Sequence, residues 1–292
     1  AAVVLFFVLS GFVLTRSLDR CQGHAGGKFA GYACRRALRI LPVAIVTALP
    51  YALIAPEAAA RIVGAMFLFD YSLNGPIWSL QVEIVGSLFV FALSACGLVR
   101  LWLATAAATW LACSQSSHFF LFMPAFALGA LVSRSEAAFW RSPRLLAAAV
   151  ASLLLVRPLF GVSLVSIAGE TVGAAAIVGC VGRQEFGWLR RRPIQLLGSV
   201  SYPFYLLHGA CLYVAIWTAR FFGVIDHWPQ ITLVWLYAAI SLPIAIPAAW
   251  AVHVAVELPG IAAGRRIAAN VQAFVTRSST GLRRGRMSEL AG

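Results

Sequence analysis

Residues 231–252 read ITLVWLYAAISLPIAIPAAWAV, twenty-two positions without an aspartate, glutamate, lysine or arginine. A helix of about 20 apolar residues crosses a hydrocarbon core roughly 30 Å thick. This run and its continuation to Glu257 are long enough to do so. The composition agrees. Of 292 residues, 61% are hydrophobic and 11% charged, with a mean hydropathy of +0.86, whereas a soluble domain is about a quarter charged. So few charged groups cannot cover a water-facing surface. A soluble enzyme, a disordered chain and a nucleic-acid-binding domain are excluded, and the lipid bilayer is the expected partner.

Nine apolar runs serve as spans: 1–15, 40–55, 77–99, 101–113, 118–133, 145–157, 160–182, 196–221 and 231–257. Lipid forces each backbone N–H and C=O to find a partner within its own segment, which favours helices. The period-two alternation of a membrane barrel is absent. The expected fold class is all-α, a polytopic transmembrane helical bundle occupying 1–263, followed by a basic cytoplasmic tail over 264–292.

Charge placement orients the bundle. Lys+Arg number 23 against 10 Asp+Glu, a formal net charge of +13. If the spans alternate and the first ends in the cytoplasm, 20 of the 23 basic residues fall inside, leaving Arg61, Arg157 and Arg220 outside near Glu57, Asp70 and Asp226. Merging 101–133 into one span would move thirteen arginines outside, against the positive-inside bias. The excess is therefore mainly topological, and the C-terminus is expected in the cytoplasm. Ala1 begins within an apolar run that lacks a charged leader and a small-residue cleavage pattern, so it is not a signal peptide. The expectation is a fragment beginning inside a span, with at least one helix before it.

The six cysteines, Cys21, Cys34, Cys96, Cys113, Cys180 and Cys211, show neither CxxC nor Cys/His ligand spacing. Neither a disulfide framework nor a metal site is expected.

Ionisable groups within spans are costly, by about 2.5 kcal/mol or more at the centre, and each is a candidate for function. Ser79, Glu83 and Ser87 recur every four residues and form one polar stripe, with Glu83 read either as functional or as a carboxylate favoured by a helix N-terminus. Ser201, Tyr205 and His208 share a helical face and could relay a proton, hold a polar substrate or make interhelical hydrogen bonds. Glu170 shares a face with Ser163, Ser166 and Gly173; it could be a proton site, an arginine's partner or a neutral acid. Glu257 closes the last span one turn after His253, where water access favours a structural role. Arg35, Arg36 and Arg39 suit a phosphorylated ligand through their planar forks, although an ordinary positive-inside flank reads the same way.

Together these pieces resemble the acyltransferase 3 family of integral membrane O-acyltransferases. Phe6-Phe7-Val8-Leu9-Ser10-Gly11-Phe12-Val13-Leu14 is similar to the FFxLSGFxL block of that family, and Arg35-Arg36-Ala37-Leu38-Arg39-Ile40-Leu41-Pro42 to its RRxxRIxP block. Trp78-Ser79-Leu80 with Glu83 is similar to WSLxxE, Gly198 through His208 to GxxSYxxYLxH, and Val256-Glu257-Leu258-Pro259 to the closing ExP. The blocks follow one another in family order along nearly the whole chain.

The resemblance implies about ten helices in the complete fold, with the first preceding Ala1. That helix would carry the family's proposed catalytic histidine and a basic residue upstream of it. His24 and His118 do not match that motif. Val4 and Ser87 depart from the family pattern, which bears on acceptor specificity. The implied reaction is transfer of an acyl group, acetyl in the first instance, from cytoplasmic acyl-CoA to a hydroxyl of a glycan or similar cell-surface acceptor. No permanently bound cofactor and no metal are implied, and the location would be the bacterial inner (plasma) membrane. Arg35, Arg36 and Arg39 would hold coenzyme A phosphates. Glu83, Tyr205 and His208 would serve catalysis, with Glu83 orienting the base or acceptor; Trp78, Ser79, Ser201 and Tyr202 would contact substrate. The competing classes are a non-catalytic glycan or lipid transporter and an inactive fragment of the same fold.

Overall fold

Among the described residues the nine apolar runs are mainly helical, although the helices depart from the limits set by hydropathy. The computed structural model describes residues 1–20, 25–54, 59–94, 97–114, 118–136, 138–184, 186–223, 228–271 and 273, and no strand occurs among them. The helices are α1 Ala2–Asp19, α2 Ala25–Ile54, α3 Ala59–Met66, α4 Ile77–Leu93, α5 Leu98–Ser114 and α6 His118–Leu121. There follow α7 Met123–Arg134, α8 Pro143–Phe160, α9 Leu164–Val181, α10 Arg192–Phe221 and α11 Gln230–Val252. Short 3-10 turns lie at Ala138–Arg141 and Gly187–Arg190. Cys21, His24, Glu57, Cys96, Asp226 and the tail arginines Arg277, Arg283, Arg284 and Arg286 lie outside the described residues.

The differences from hydropathy have local causes. Helix α2 starts at Ala25 rather than at 40, because Lys28 and the three arginines lower hydropathy without opposing helix formation. The run 118–133 is divided at Phe122, with Pro124 in the first turn of α7, where its missing N–H is not needed. Gly161, at φ 63, ends α8, and Ser163 caps α9 in a reciprocal capping box with Ser166. The run read as 160–182 is therefore the end of one helix and the whole of the next. Helix α4 stops at Leu93 rather than at 99. Helix α3, only eight residues long, escapes a span-length reading. By length and composition, α1, α8, α9, α10 and the continuous helix Gln230–Val271 can each cross a membrane. That last helix carries regular structure eight residues into the stretch read as a tail.

The chain divides into two compact units, Ala1–Gln22 with Gln81–Gly187, and Gly23–Leu80 with Trp188–Gly292. In the first, α1 and α7 approach backbone to backbone. A Cβ placed on Gly11 would strike the Phe126 carbonyl, and one on Gly129 would strike the Val8 carbonyl. Small residues permit this because association in lipid depends on close packing rather than on expulsion of water. Phe126 stacks on Phe7 at 5.1 Å, and its ring fills the space left by Gly86.

Arginines close the helix ends of this unit. Arg134 pairs with Asp19 at 2.6 Å and donates to the Ser94 carbonyl at 2.9 Å. Arg183 donates to the Val132 carbonyl at 2.7 Å and also to that of Ser135. It adds a side-chain donor to the carbonyls at the C-terminal end of α7, where the helical ladder runs out. Part of the basic excess thus terminates helices. Arg183→Ala is expected to destabilise by about 1–3 kcal/mol, read as a lower unfolding midpoint in detergent with the helix content retained below the transition.

In the second unit, Ile40, Val43, Ala44 and Ala48 of α2 pack with Ala65, Leu68, Ile77, Leu80 and Leu206. A second cluster joins Val200 and Leu207 of α10 to Ala249 of α11. Two polar bonds fasten α10 to this core: the Tyr202 hydroxyl donates to the Ile40 carbonyl at 3.1 Å, and the Asn74 amide to the Leu206 carbonyl at 3.2 Å. In the loop before α4, Ser72 N–H donates to Asp70 Oδ1 at 2.7 Å. That backbone bond, aided by the Ser72 hydroxyl, holds the Asp70 carboxyl below the usual carboxylate range.

Candidate active site

Three groups of polar residues sit on these helices. The first is the arginine turn of α2. Arg35, Arg36 and Arg39 lie well inside the helix rather than at its opening, three turns from Ala25. Pro42 cannot donate to the Leu38 carbonyl, the helical partner its position would otherwise bond. The helix that continues α11 packs there. A Cβ on Gly260 would meet the Leu38 carbonyl, and one on Gly264 would lie 3.3 Å from Arg35 Cα. Just before this contact the helix widens into a π turn, His253–Glu257, in which the Leu258 N–H bonds the His253 carbonyl five residues back. Glu257 is buried, with Oε2 2.7 Å from His253 Nδ1 and Oε1 3.9 Å from Arg39 Nε.

The second group belongs to α10 and the start of α4. The Tyr205 phenol lies near the Ser79 hydroxyl, which donates to the Pro76 carbonyl at 2.8 Å. His208 Nδ1 lies 2.5 Å from the Tyr205 carbonyl. A carbonyl oxygen only accepts, so Nδ1 carries a proton, and Nε2 is the nitrogen that a neutral ring would offer as acceptor. The half-buried imidazole stacks against Tyr205 and Phe204, with centroids 5.7 and 6.4 Å apart. Ser201 does not join them: it is exposed, and its hydroxyl donates back to the Gly198 carbonyl at 2.7 Å. Sharing a helical face therefore linked Tyr205 with His208 but not with Ser201. Tyr202 is taken up by the Ile40 carbonyl, and Trp78 sits half-buried in the first turn of α4.

The third group lies in the first unit. Glu83 is buried, and Ser10 of α1 places its hydroxyl 3.5 Å from Glu83 Oε1. Ser87 donates to the Glu83 carbonyl at 2.6 Å, so this member of the stripe serves the backbone. Glu170, fully buried, proves to be an arginine's partner. Arg157 Nη2 donates to Oε2 at 3.0 Å, and Arg157 Nε lies 2.7 Å from Oε1.

Besides Ser10, sequence reasoning missed two buried polar side chains, Asn74 and Tyr51. Asn74 is completely buried; its amide is fixed on Leu206, and its Oδ1 has no hydrogen-bond partner among the described residues. Tyr51 is also buried, and a Cβ on Gly209 would meet its hydroxyl at 2.9 Å and Asn74 Oδ1 at 3.9 Å. Neither residue lies in a quoted block. The available signal was an Asn-Gly-Pro sequence, which reads first as a turn.

A family model described as an acyltransferase domain matches residues 1–254. The chain belongs to the acyltransferase 3 family. No curated protein and no solved structure matches it. As an acyltransferase 3 member with helices able to span a bilayer, it is an integral membrane acyltransferase. The match takes in the arginine turn, the Trp78–Glu83 block and the Tyr205–His208 pair, and it ends just before Glu257.

Proposed function

We propose that this acyltransferase moves an acyl group, acetyl in the first instance, from cytoplasmic acyl-CoA to a hydroxyl of a glycan or similar cell-surface acceptor. The setting proposed is the bacterial inner membrane, with the C-terminus in the cytoplasm. The observation that carries the reading is the joining of α10 to the arginine turn of α2. Tyr202 is bonded to Ile40, next to Arg39, and His208 lies six residues further along the same helix, about 9 Å along its axis. One unit therefore holds cationic forks suited to phosphates and, within reach along α10, a phenol and an imidazole suited to hydroxyl chemistry.

In the proposed reaction, the acceptor hydroxyl oxygen attacks the thioester carbonyl carbon. The new C–O bond forms as the C–S bond breaks, and coenzyme A leaves as the thiol once its sulfur has gained a proton. The proton released by the hydroxyl passes to an imidazole; within the described chain, His208 Nε2 is the nitrogen left free of the Tyr205 carbonyl to take it. Arg35, Arg36 and Arg39 hold the donor's phosphates, and Tyr205 and Ser79 line the polar path. Glu83, buried beside Ser10, orients the acceptor or the base.

The test is transfer of labelled acetyl from acetyl-CoA in membranes containing the full chain. Arg36→Ala and Arg39→Ala are each expected to raise the KM for acetyl-CoA about tenfold or more, with a smaller change in kcat, as lost charge-assisted hydrogen bonds require. An unchanged KM in both variants would remove the donor role of the arginines. Export of an unmodified glycan without label transfer would favour a transporter instead.

A further inference from the structure

A carboxylate buried as deeply as Glu257, at 3% exposure, is stable only with compensating partners. Among the described residues it has two, and they come from different helices. His253, on the preceding turn of its own helix, holds Oε2 at 2.7 Å. Arg39 of α2 approaches Oε1 at 3.9 Å, and its nearest nitrogen is Nε. A two-point phosphate clamp can be made through the terminal guanidinium nitrogens. A carboxylate beside Nε is therefore compatible with phosphate binding and, at 3.9 Å, attracts the side chain that carries the fork through charge. Arg39 is half exposed, and an unrestrained arginine has many rotamers to lose on binding.

The backbone supports the same arrangement. The π turn spans His253 to Glu257, and such turns concentrate at functional sites. Immediately beyond it, Gly260 and Gly264 bring the helix onto Leu38 and Arg35, so the carboxylate is held in register with the arginine turn.

We propose that Glu257 is a positioning residue for the donor-binding arginine, fixed by His253 and holding Arg39 by its Nε so that the terminal nitrogens are preorganised for a coenzyme A phosphate. The proposal rests on the donor role given to Arg39 above.

The experiment measures binding of unacylated coenzyme A to the full chain in detergent, for the wild type, Glu257→Gln, Arg39→Ala and the double variant. Glu257→Gln keeps the volume and removes the charge. It is expected to weaken binding roughly three- to tenfold and to have no further effect in the Arg39→Ala background, because its influence passes through Arg39. A merely structural glutamate would lower affinity equally in both backgrounds. A purely electrostatic one would tighten binding when neutralised. Either result, or unchanged affinity, overturns the proposal. Should Glu257→Gln fail to fold, His253→Gln decides: it releases the carboxylate while leaving its charge, and should weaken binding in the same background-dependent way. If the wild type binds no coenzyme A, the donor reading itself falls; if Arg39→Ala weakens binding and neither Glu257→Gln nor His253→Gln does, only the positioning role falls.

Discussion

His208→Ala is expected to lower the kcat for labelled acetyl transfer by about 10²–10⁴-fold, the usual worth of a positioned general base, while leaving the KM for acetyl-CoA close to its original value. The expectation follows from one hydrogen bond. His208 Nδ1 is 2.5 Å from the carbonyl of Tyr205, a turn earlier on its own helix, so the backbone engages Nδ1 as a donor and leaves Nε2 as the nitrogen facing a substrate proton. Because the ring also stacks on Tyr205 and Phe204, some loss of stability will accompany its removal. His208→Phe separates the effects, since it keeps an aromatic ring and discards both nitrogens. If His208→Phe is as stable as the wild type and still transfers label within threefold of it, His208 has no part in proton transfer. Glu83→Gln provides the matching test in the other unit, and activity surviving both changes would end the roles given to these two residues.

Gly129→Val should prevent stable folding of the first unit, at a cost above about 3 kcal/mol, the upper part of the range for an overfilled interior. The obstacle is backbone. A Cβ at Gly129 would collide with the Val8 carbonyl, and one at Gly11 with the Phe126 carbonyl, so no side-chain rotation relieves either clash. Gly129→Val should reduce the amount of protein recovered from membranes and its unfolding midpoint in detergent. Gly198→Ala supplies the opposite sign. Nothing lies within 4 Å of its Cβ position, within α10, so the higher helix propensity of alanine should stabilise by up to about 1 kcal/mol. Normal yield and midpoint for Gly129→Val would disprove the close approach of α1 and α7.

The site was readable to uneven depth. Arg39, Glu83 and His208 stand out because charge and imidazole are scarce in apolar runs, and scarcity is a property of sequence. Which polar neighbours they engage is not. Ser201 lies on the same helical face as His208, yet its hydroxyl bonds back to Gly198. Ser10, never singled out, is the hydroxyl that reaches Glu83. Spacing places side chains on a face, but a serine within a helix can always turn to a carbonyl of its own preceding turn. For Glu170, spacing allows three roles equally, and Arg157 on the neighbouring helix selects one of them.

By itself the sequence determined that the chain is a bundle of membrane helices, roughly where they lie and which family the order of its motifs belongs to. Hydropathy and helical period are properties of a single segment, and lipid leaves a segment no alternative but the helix. Tertiary structure alone decided the partners from other helices: Arg157 for Glu170, Ser10 for Glu83 and Arg39 for Glu257. Partnership depends on which helices touch and at what height, and that is set by backbone approaches at Gly11, Gly129 and Gly260. A glycine in a one-dimensional reading does not say what will occupy the space it leaves.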